Sequence, residues 1–259
     1  MLFDVKAFTV SLRSSGRILL DSLSFSVDAG DSFQFLGLSG SGKTTLCNAF
    51  FHTLSPAVFQ ISGQMLLDGQ DILSASDHVR RSLYGAELVY IPQNPMTAFD
   101  PSMRVGRQLY EILLLHGLCP KKDARDRALA ALTEAKLPEP ERVYRSFPYQ
   151  LSGGMLQRVL FAMALMTNAR LVVADEPTTA LDAQLRVSTM NSLKEMKRHG
   201  AAVVMMTHDF RSALRLGGQG AVLQGGKIVE TNPIEALLNA PAHPHTRQLI
   251  SASMLEVNE

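Results

Sequence analysis

Residues 37–44, Gly-Leu-Ser-Gly-Ser-Gly-Lys-Thr, constrain the fold of this 259-residue chain most strongly. They follow a short apolar run at 33–36, and the segment 44–54 after them has apolar residues at helical spacing. A strand, a glycine-rich loop ending in Lys and Thr, and a helix form a loop whose backbone N–H groups surround a phosphate. Glycines are required there because side chains would block that approach. The sequence therefore predicts a phosphate-binding loop.

Lys43 and Thr44 supply the charge and the hydroxyl of this loop. We expect Lys43 to bridge the β- and γ-phosphates of ATP and Thr44 to ligate Mg²⁺. The positive N-terminal end of the helix that begins after Gly42 adds to the attraction. The residues predicted to hold the nucleotide are Gly37, Ser39, Gly40, Ser41, Gly42, Lys43, Thr44 and Thr45.

The remaining apolar segments predict an α/β protein with two kinds of strand. Short alternating apolar runs over residues 3–27, broken by a polar stretch at 13–17, predict antiparallel strands joined by a turn. The continuously apolar runs 171–174 and 203–206 predict buried parallel strands. Residues 221–230 are typical of a hairpin that turns at two adjacent glycines.

Composition changes after residue 94, where Leu, Ala and Arg recur at helical spacing. We interpret residues 95–164 as an inserted helical subdomain. Residues 1–94 and 165–231 then form the nucleotide-binding core, together with an N-terminal antiparallel β subdomain. For the proline-containing tail, 232–259, a short helix with loosely packed ends is expected.

Bulk composition excludes several classes of protein. Lys and Arg number 25 against 24 Asp and Glu, so overall charge does not favour nucleic-acid binding. The apolar runs are far shorter than the roughly 20 residues of a membrane span. The N-terminus has neither a basic start nor an apolar core, so no signal peptide is predicted. Cys47 and Cys119 are far apart and are expected to be unrelated thiols.

Two carboxylates, Asp175 and Glu176, follow the apolar run at 171–174. Asp175 at the strand tip could hold Mg²⁺ through water, and Glu176 could orient and polarise an attacking water. Acidic pairs after apolar strands are also common loop starts. The phosphate loop upstream favours the catalytic interpretation.

The segment 151–158, Leu-Ser-Gly-Gly-Met-Leu-Gln-Arg, places a serine and two glycines before an apolar helix. Free N–H groups at such a helix end suit an anion. Because the chain already has its own phosphate loop, we interpret Ser152, Gly153 and Gly154 as residues that cap the ATP of a second subunit. The alternative is an ordinary N-capped helix after a loop.

The order of these motifs, with Gln93 and His208 between and after them, resembles the ABC ATPases over residues 3–230. That resemblance implies that Gln93 ligates Mg²⁺ and couples the nucleotide to a transmembrane partner, and that His208 touches the γ-phosphate. The catalytic set is then Glu176, His208, Gln93 and Lys43, with Mg²⁺ held by Thr44, Gln93 and Asp175. Residues 180–182 resemble the loop that contacts the facing subunit.

Two positions depart from the family's pattern. Met155 occupies the fifth signature position, where many members have glutamine. The aromatic residue that normally stacks on adenine is absent around Leu12 and Arg13, and Phe8 comes slightly too early. An apolar or arginine contact is expected to replace base stacking.

Residues 93–101, 147–150 and 243–247 resemble the subfamily that energises uptake of oligopeptides, dipeptides and nickel. We favour nickel or a metal chelate as cargo over peptides. The resemblance implies a second, different ATPase subunit, two permeases contacted through residues 93–100, an indirect extracytoplasmic binding protein and a peripheral location on the cytoplasmic face of the cell membrane. His243 and His245 are interpreted as part of a polar turn and not as metal ligands.

Proteins of other classes fit the motifs less well. A kinase or GTPase would use a similar phosphate loop but has no need of the segment 151–158. An ABC protein of DNA repair would require a long coiled-coil insertion, and a ribosome-acting ABC factor normally has two cassettes. A non-transport ABC ATPase remains a remote alternative.

Overall fold

The structure, a computed structural model, describes residues 1–179 and 181–255, with side chains to residue 252. Within these ranges the strands are β1 (Phe3–Leu12), β2 (Ile18–Val27), β3 (Ser32–Leu36), β4 (Phe59–Leu67), β5 (Gln70–Asp71), β6 (Leu88–Ile91), β7 (Leu171–Asp175), β8 (Ala202–Thr207), β9 (Gln219–Gln224) and β10 (Lys227–Pro233). The helices are α1 (Lys43–Phe50), α2 (Asp77–Leu83), α3 (Val105–Leu115), α4 (Ala124–Glu134), α5 (Pro140–Arg145), α6 (Gly153–Thr167), α7 (Ala183–Arg198), α8 (Phe210–Leu216), α9 (Ile234–Asn239) and α10 (Pro244–Leu255).

The N-terminal strands form an antiparallel sheet in the order β2-β1-β4-β5. The predicted pair β1 and β2 is confirmed, because Phe3 lies opposite Val27 and Ser11 opposite Ile18. The sequence analysis did not identify β4, which pairs along the other edge of β1. Phenylalanines from this sheet pack against α1, and their rings lie at edge-to-face and tilted angles.

A six-stranded sheet in the order β10-β9-β3-β8-β7-β6 forms the centre of the molecule. Its strands are parallel except for the β9–β10 hairpin, which confirms the predicted turn at Gly225 and Gly226. Every residue of β3, β7 and β8 is buried, as expected for strands covered on both faces. The carboxyl ends of β3, β6, β7 and β8 meet at one edge, where α/β proteins bind their ligands.

Helices α3 to α6 follow β6 in the chain and pack on one another beside the sheet. Arg127 on α4 ties this group together, because its guanidinium donates to the carbonyls of Leu118 and Met166. The α6 helix continues to Thr167, so the predicted domain boundary at 164 lies within it. The division into core, helical subdomain and tail stays a prediction.

Two predicted elements need correction. Helix α1 ends at Phe50 and not at Leu54, because His52 adopts a left-handed φ of 52° and turns the chain. The tail, predicted as one short helix with loosely packed ends, has two helices in its described part, and there Leu237, Leu249 and Ile250 are buried in a cluster with residues of β3, α8 and β9.

Asp182 caps α7, because its carboxylate accepts a hydrogen bond from the backbone N–H of Leu185 at 2.8 Å. None of the helices in the described ranges is both long and apolar enough to cross a bilayer.

Candidate active site

The turn into α1 is built around Gly42. Its φ is 115°, a region that side chains disfavour, and a Cβ there would lie 2.7 Å from Leu20 Cδ2. Gly40, with a φ of 81°, also lies in the left-handed region. The Ser41 Oγ is buried and has no hydrogen-bond partner among the described residues. The loop therefore has the backbone path predicted from its glycines, and its helix begins at Lys43.

The Lys43 ammonium is folded back into its own loop. Its Nζ donates to the carbonyl oxygens of Gly37 at 2.6 Å and Leu38 at 3.1 Å. The same atom lies 3.4 Å from Glu176 Oε1, and only 6% of the Lys43 side chain is exposed. A buried cation with a carboxylate partner is available to an incoming anion without a large change in hydration.

Glu176 lies just past the end of β7 at the centre of the site. Its φ is 47°, a left-handed conformation that is uncommon for glutamate. The backbone N–H donates to Met206 at 2.8 Å, which anchors this conformation to β8. Oε2 lies 2.8 Å from His208 Nδ1 and accepts a hydrogen bond from Thr179 Oγ1 at 3.1 Å. The structure thus brings together Lys43, Glu176 and His208, three of the predicted catalytic residues.

Asp175 is 2% exposed at the tip of β7. Burial raises the pKa of this carboxyl, and the neighbouring Glu176 charge raises it further. Tyr90 OH lies 3.4 Å from Oδ2, whereas Oδ1 is buried with no hydrogen-bond partner among the described residues. Burial also raises the pKa of the Cys47 thiol behind this strand, so Cys47 stays a neutral, inert thiol at neutral pH.

The donor set fits Mg²⁺. A hydroxyl on Thr44, an amide oxygen on Gln93 and the unsatisfied carboxylate oxygen of Asp175 are all oxygen ligands, which this ion prefers. Thr44 and Gln93 line the same cavity, whereas Asp175, with its unpaired Oδ1, ends β7 and is not part of the lining.

A cavity of about 260 Å³ joins the loop to the strand ends. It is below the usual 300–1,000 Å³ of a small-molecule pocket, which suits a phosphate chain better than a whole nucleotide. Its lining consists of Ser39, Gly40, Gly42, Lys43, Thr44, Thr45, Gln93, Glu176 and His208. The predicted Gly37, Ser41 and Asp175 are not part of this lining, and neither are Ser152, Gly153 and Gly154.

The segment 151–158 forms the separate helix end predicted for it. Ser152 caps α6, and its Oγ accepts a hydrogen bond from the Met155 N–H at 3.3 Å. A Cβ on Gly153 would meet no atom within 4 Å, so this end is open at Gly153, whereas a Cβ on Gly154 would lie 3.1 Å from Leu185 Cδ1. Further along α6, buried Gln157 donates through Nε2 to the carbonyl of Pro177. The helix is thus tied to the residue that follows Glu176.

The sequence predicts no role for Tyr90, Thr179 or Gln157, although Gln157 lies in the segment 151–158 and Thr179 follows the carboxylate pair. Their contacts near the site appear only in the folded chain. Phe8 is fully buried against Phe50, so it cannot face a base.

The contact with adenine and the contact of the loop 180–182 with a second subunit stay predictions. Near the expected adenine position, Arg13 Nε donates to the backbone carbonyls of Pro56 and Phe59, which occupies this donor. In the predicted partner-contacting loop 180–182, Ala180 lies outside the described residues.

Comparison with known proteins places these features in a family. The family described as ABC transporter matches residues 20–179. The chain is 34% identical over 255 residues to the oligopeptide transport ATP-binding protein OppD of Lactococcus lactis, covering 97% of this chain and 75% of that protein. It is 31% identical over 251 residues to the metal-staphylopine import system ATP-binding protein CntD of Staphylococcus aureus, with coverages of 96% and 92%.

A third relative is the dipeptide transport ATP-binding protein DppD of Escherichia coli, 36% identical over 234 residues, with coverages of 90% and 72%. Among solved structures, the fold is similar to an ATP-binding cassette captured as a dimer in a post-hydrolysis state bound to ADP and Pi. The TM-score is 0.76 at 27% identity, over 90% of this chain and 98% of that one. The predicted α/β fold with a phosphate-loop core is therefore confirmed.

Proposed function

Because the chain belongs to the ABC transporter family, we propose that it is the ATP-hydrolysing subunit of an importer for metal chelates or small peptides. The observation that carries this proposal is the Glu176 carboxylate, which lies between Lys43 and His208 at the wall of the loop cavity. A carboxylate held in this way can accept the proton of a water that attacks the terminal phosphate.

Each side chain has a separate task in this reaction. Lys43 leaves its carbonyl partners for the phosphate oxygens and neutralises their charge, while the loop N–H groups hold the phosphate chain. Glu176 orients and polarises the water, and His208, whose Nδ1 lies 2.8 Å from Glu176 Oε2, contacts the γ-phosphate. Thr44, Gln93 and Asp175 would hold Mg²⁺, which supplies positive charge to the phosphates when bound.

We further propose that two cassettes share two ATP molecules. Support comes from the open end of α6, which does not line the cavity of its own chain. It also comes from the similar cassette that was captured as a dimer. In this arrangement Ser152, Gly153 and Gly154 contact the ATP of the facing subunit, and that subunit is a different chain. The predicted loop 180–182 would meet the same subunit.

The cargo and the remaining partners are inferred by analogy. We propose nickel or a metal chelate, in line with the metal-staphylopine relative, and keep peptides as the alternative because of the oligopeptide and dipeptide relatives. The segment 93–100, mostly exposed apart from buried Phe99, would receive the permeases at the cytoplasmic face of the cell membrane, with Gln93 linking it to the cavity. An extracytoplasmic binding protein would select the cargo, so the ligand of that protein decides between the two.

Substituting Glu176 tests the proposal. Glu176→Gln keeps the shape of the side chain and removes the charge, so ATP binding should persist while hydrolysis falls by at least about 100-fold. The assay measures phosphate release by the chain assembled with its permeases and second ATPase subunit. Glu195→Gln on the exposed face of α7 is the control and should behave as wild type. Wild-type hydrolysis in Glu176→Gln would remove this residue from its role.

A further inference from the structure

The Glu176 carboxylate is held unevenly by its neighbours. Oε2 receives two contacts, His208 Nδ1 at 2.8 Å and Thr179 Oγ1 at 3.1 Å, whereas Oε1 faces the Lys43 ammonium at 3.4 Å. Lys43 is the group that must turn to an incoming phosphate. The position of the carboxylate during the reaction therefore depends on the contacts to Oε2.

The two contacts to Oε2 differ in rigidity. The His208 side chain is 50% exposed and lies in the cavity wall, so it is free to respond to the nucleotide. Thr179 is only partly exposed, and its own backbone N–H donates to the Glu176 carbonyl at 3.1 Å. This backbone hydrogen bond closes a turn that begins at Glu176 and ends at Thr179, so both residues of the side-chain contact lie in the same turn. The hydroxyl is therefore aimed at the carboxylate by local geometry.

The neighbouring threonine shows that this contact is specific to one position. Thr178 is 3% exposed, and its Oγ1 accepts a hydrogen bond from Ser212 Oγ at 3.3 Å on α8. Two threonines side by side in the same turn thus point to different groups. Of the two, Thr179 is the one whose hydroxyl donates to the Glu176 carboxylate.

We propose that Thr179 is a positioning residue for ATP hydrolysis, whose hydroxyl fixes the Glu176 carboxylate for its contact with water. This inference rests on the proposed function of Glu176. A charge-assisted hydrogen bond of this kind is stronger than a neutral one. Because small displacements of a catalytic group lower the rate steeply, its loss should reduce turnover while leaving the phosphate loop intact.

Three variants in the assembled transporter test this role. Thr179→Val removes the hydroxyl but keeps the branched shape, and kcat should fall about 10-fold while the ATP affinity and KM stay within about 2-fold. Thr179→Ser keeps a hydroxyl and should recover most of the wild-type kcat. Thr178→Val removes the adjacent hydroxyl, which bonds elsewhere, and should retain the wild-type kcat even if the protein unfolds at a lower temperature.

The Glu176→Gln variant separates the failure of this inference from failure of the proposed function. If Glu176→Gln is inactive and Thr179→Val has wild-type kcat, the positioning role is wrong and the proposed function stands. If Thr179→Ser is as slow as Thr179→Val, the hydroxyl is not the active feature, and the role is again wrong. If Glu176→Gln hydrolyses ATP normally, the proposed role of Glu176 falls, and the Thr179 role falls with it. In the double variant Thr179→Val/Glu176→Gln, residual hydrolysis should equal that of Glu176→Gln alone.

Discussion

Replacing Asp175 by asparagine separates two effects of this carboxylate: its cost to the stability of the nucleotide-free fold and its contribution to binding ATP and Mg²⁺. Burial and the adjacent Glu176 charge raise the pKa of Asp175, so the ionised form is less stable in the folded chain than in the unfolded one. Its Oδ1 is buried without a hydrogen-bond partner among the described residues. Asparagine has nearly the same shape and no charge, so the nucleotide-free protein should become more stable.

The size of the effect follows from that unpaired oxygen. An unsatisfied buried polar atom costs about 1–3 kcal/mol. The penalty is larger for a charged atom, and asparagine leaves a neutral polar atom in the same surroundings, so the variant should gain only the difference, about 1 kcal/mol. In a domain of this size that raises the Tm by roughly 2–4 °C. With ATP and Mg²⁺ at 100 times the Kd, wild type should gain about 2.7 kcal/mol, and Asp175→Asn should gain much less because it loses a metal ligand.

Glu230 is a carboxylate whose pKa is shifted in the opposite direction to that of Asp175. Burial raises the pKa of Glu230, but hydrogen bonds outweigh this effect, among them those from the backbone N–H groups of Ala242 at 2.8 Å and His243 at 3.0 Å. The net pKa lies below its ordinary value, so the ionised form stabilises the fold above that value and the benefit is lost as the pH falls through the folded pKa. Glu230→Gln should therefore lower the free energy of unfolding at pH 7 by about 1.5–3 kcal/mol, and the Tm falls with it.

Thermal unfolding of the three proteins, with and without ATP and Mg²⁺, measures both effects. Between pH 7 and about 4.5 the loss of stability caused by Glu230→Gln should stay constant, because Glu230 in the folded wild-type protein has a pKa below this range. The gain from Asp175→Asn should shrink once the pH reaches the raised pKa of Asp175. A lower Tm for nucleotide-free Asp175→Asn than for wild type would refute the assignment of Asp175 as a destabilising, metal-directed carboxylate.

Three further outcomes follow from single contacts. Gly42→Ala should weaken ATP binding at least about 10-fold, because the φ of 115° disfavours a side chain and the new Cβ would lie 2.7 Å from Leu20 Cδ2. Gly16→Ala, at a milder left-handed φ of 67° with no atom within 4 Å of the new Cβ, is the control and should bind ATP normally. Arg127→Ala should lower the free energy of unfolding, measured in urea, by about 2–3 kcal/mol, because it removes three hydrogen bonds to the carbonyls of Leu118 and Met166. The control Arg107→Ala removes an exposed ion pair and should cost less than about 1 kcal/mol. Chelating Mg²⁺ should remove most of the stabilisation that ATP gives wild type, and equal stabilisation with and without the metal would contradict the donor set assigned to the site.

Local signals in the sequence predicted much of this structure. The glycine spacing at 37–44 and the continuously apolar runs at 171–174 and 203–206 depend on backbone geometry and burial, which neighbouring residues reveal. The end of α1 was not predictable because it depends on His52 taking a left-handed conformation. The packing of the tail depends on Leu237, which meets residues distant in the chain.

The site itself divides in the same way between local pattern and distant contact. Each motif was found because its own residues are adjacent, but two partners of Glu176 come from distant segments, Lys43 on α1 and His208 after β8. Thr179 lies in the same turn as Glu176. Thr179 was missed because a threonine in a turn is common, and only its 3.1 Å contact distinguishes it from Thr178.

The two helix ends proposed to bind nucleotide illustrate the limit of motif reading most clearly. The start of α1 lines the cavity, whereas the start of α6 at Ser152 does not. In the proposed dimer each chain would present two half-sites, and adjacency in the sequence cannot say which nucleotide each one serves. Within one chain, the hydrogen bond from Gln157 on α6 to the carbonyl of Pro177, beside Glu176, connects the two. Isolated chains should accordingly bind ATP through α1 but hydrolyse it slowly, and full hydrolysis should appear only when a second cassette supplies the missing half.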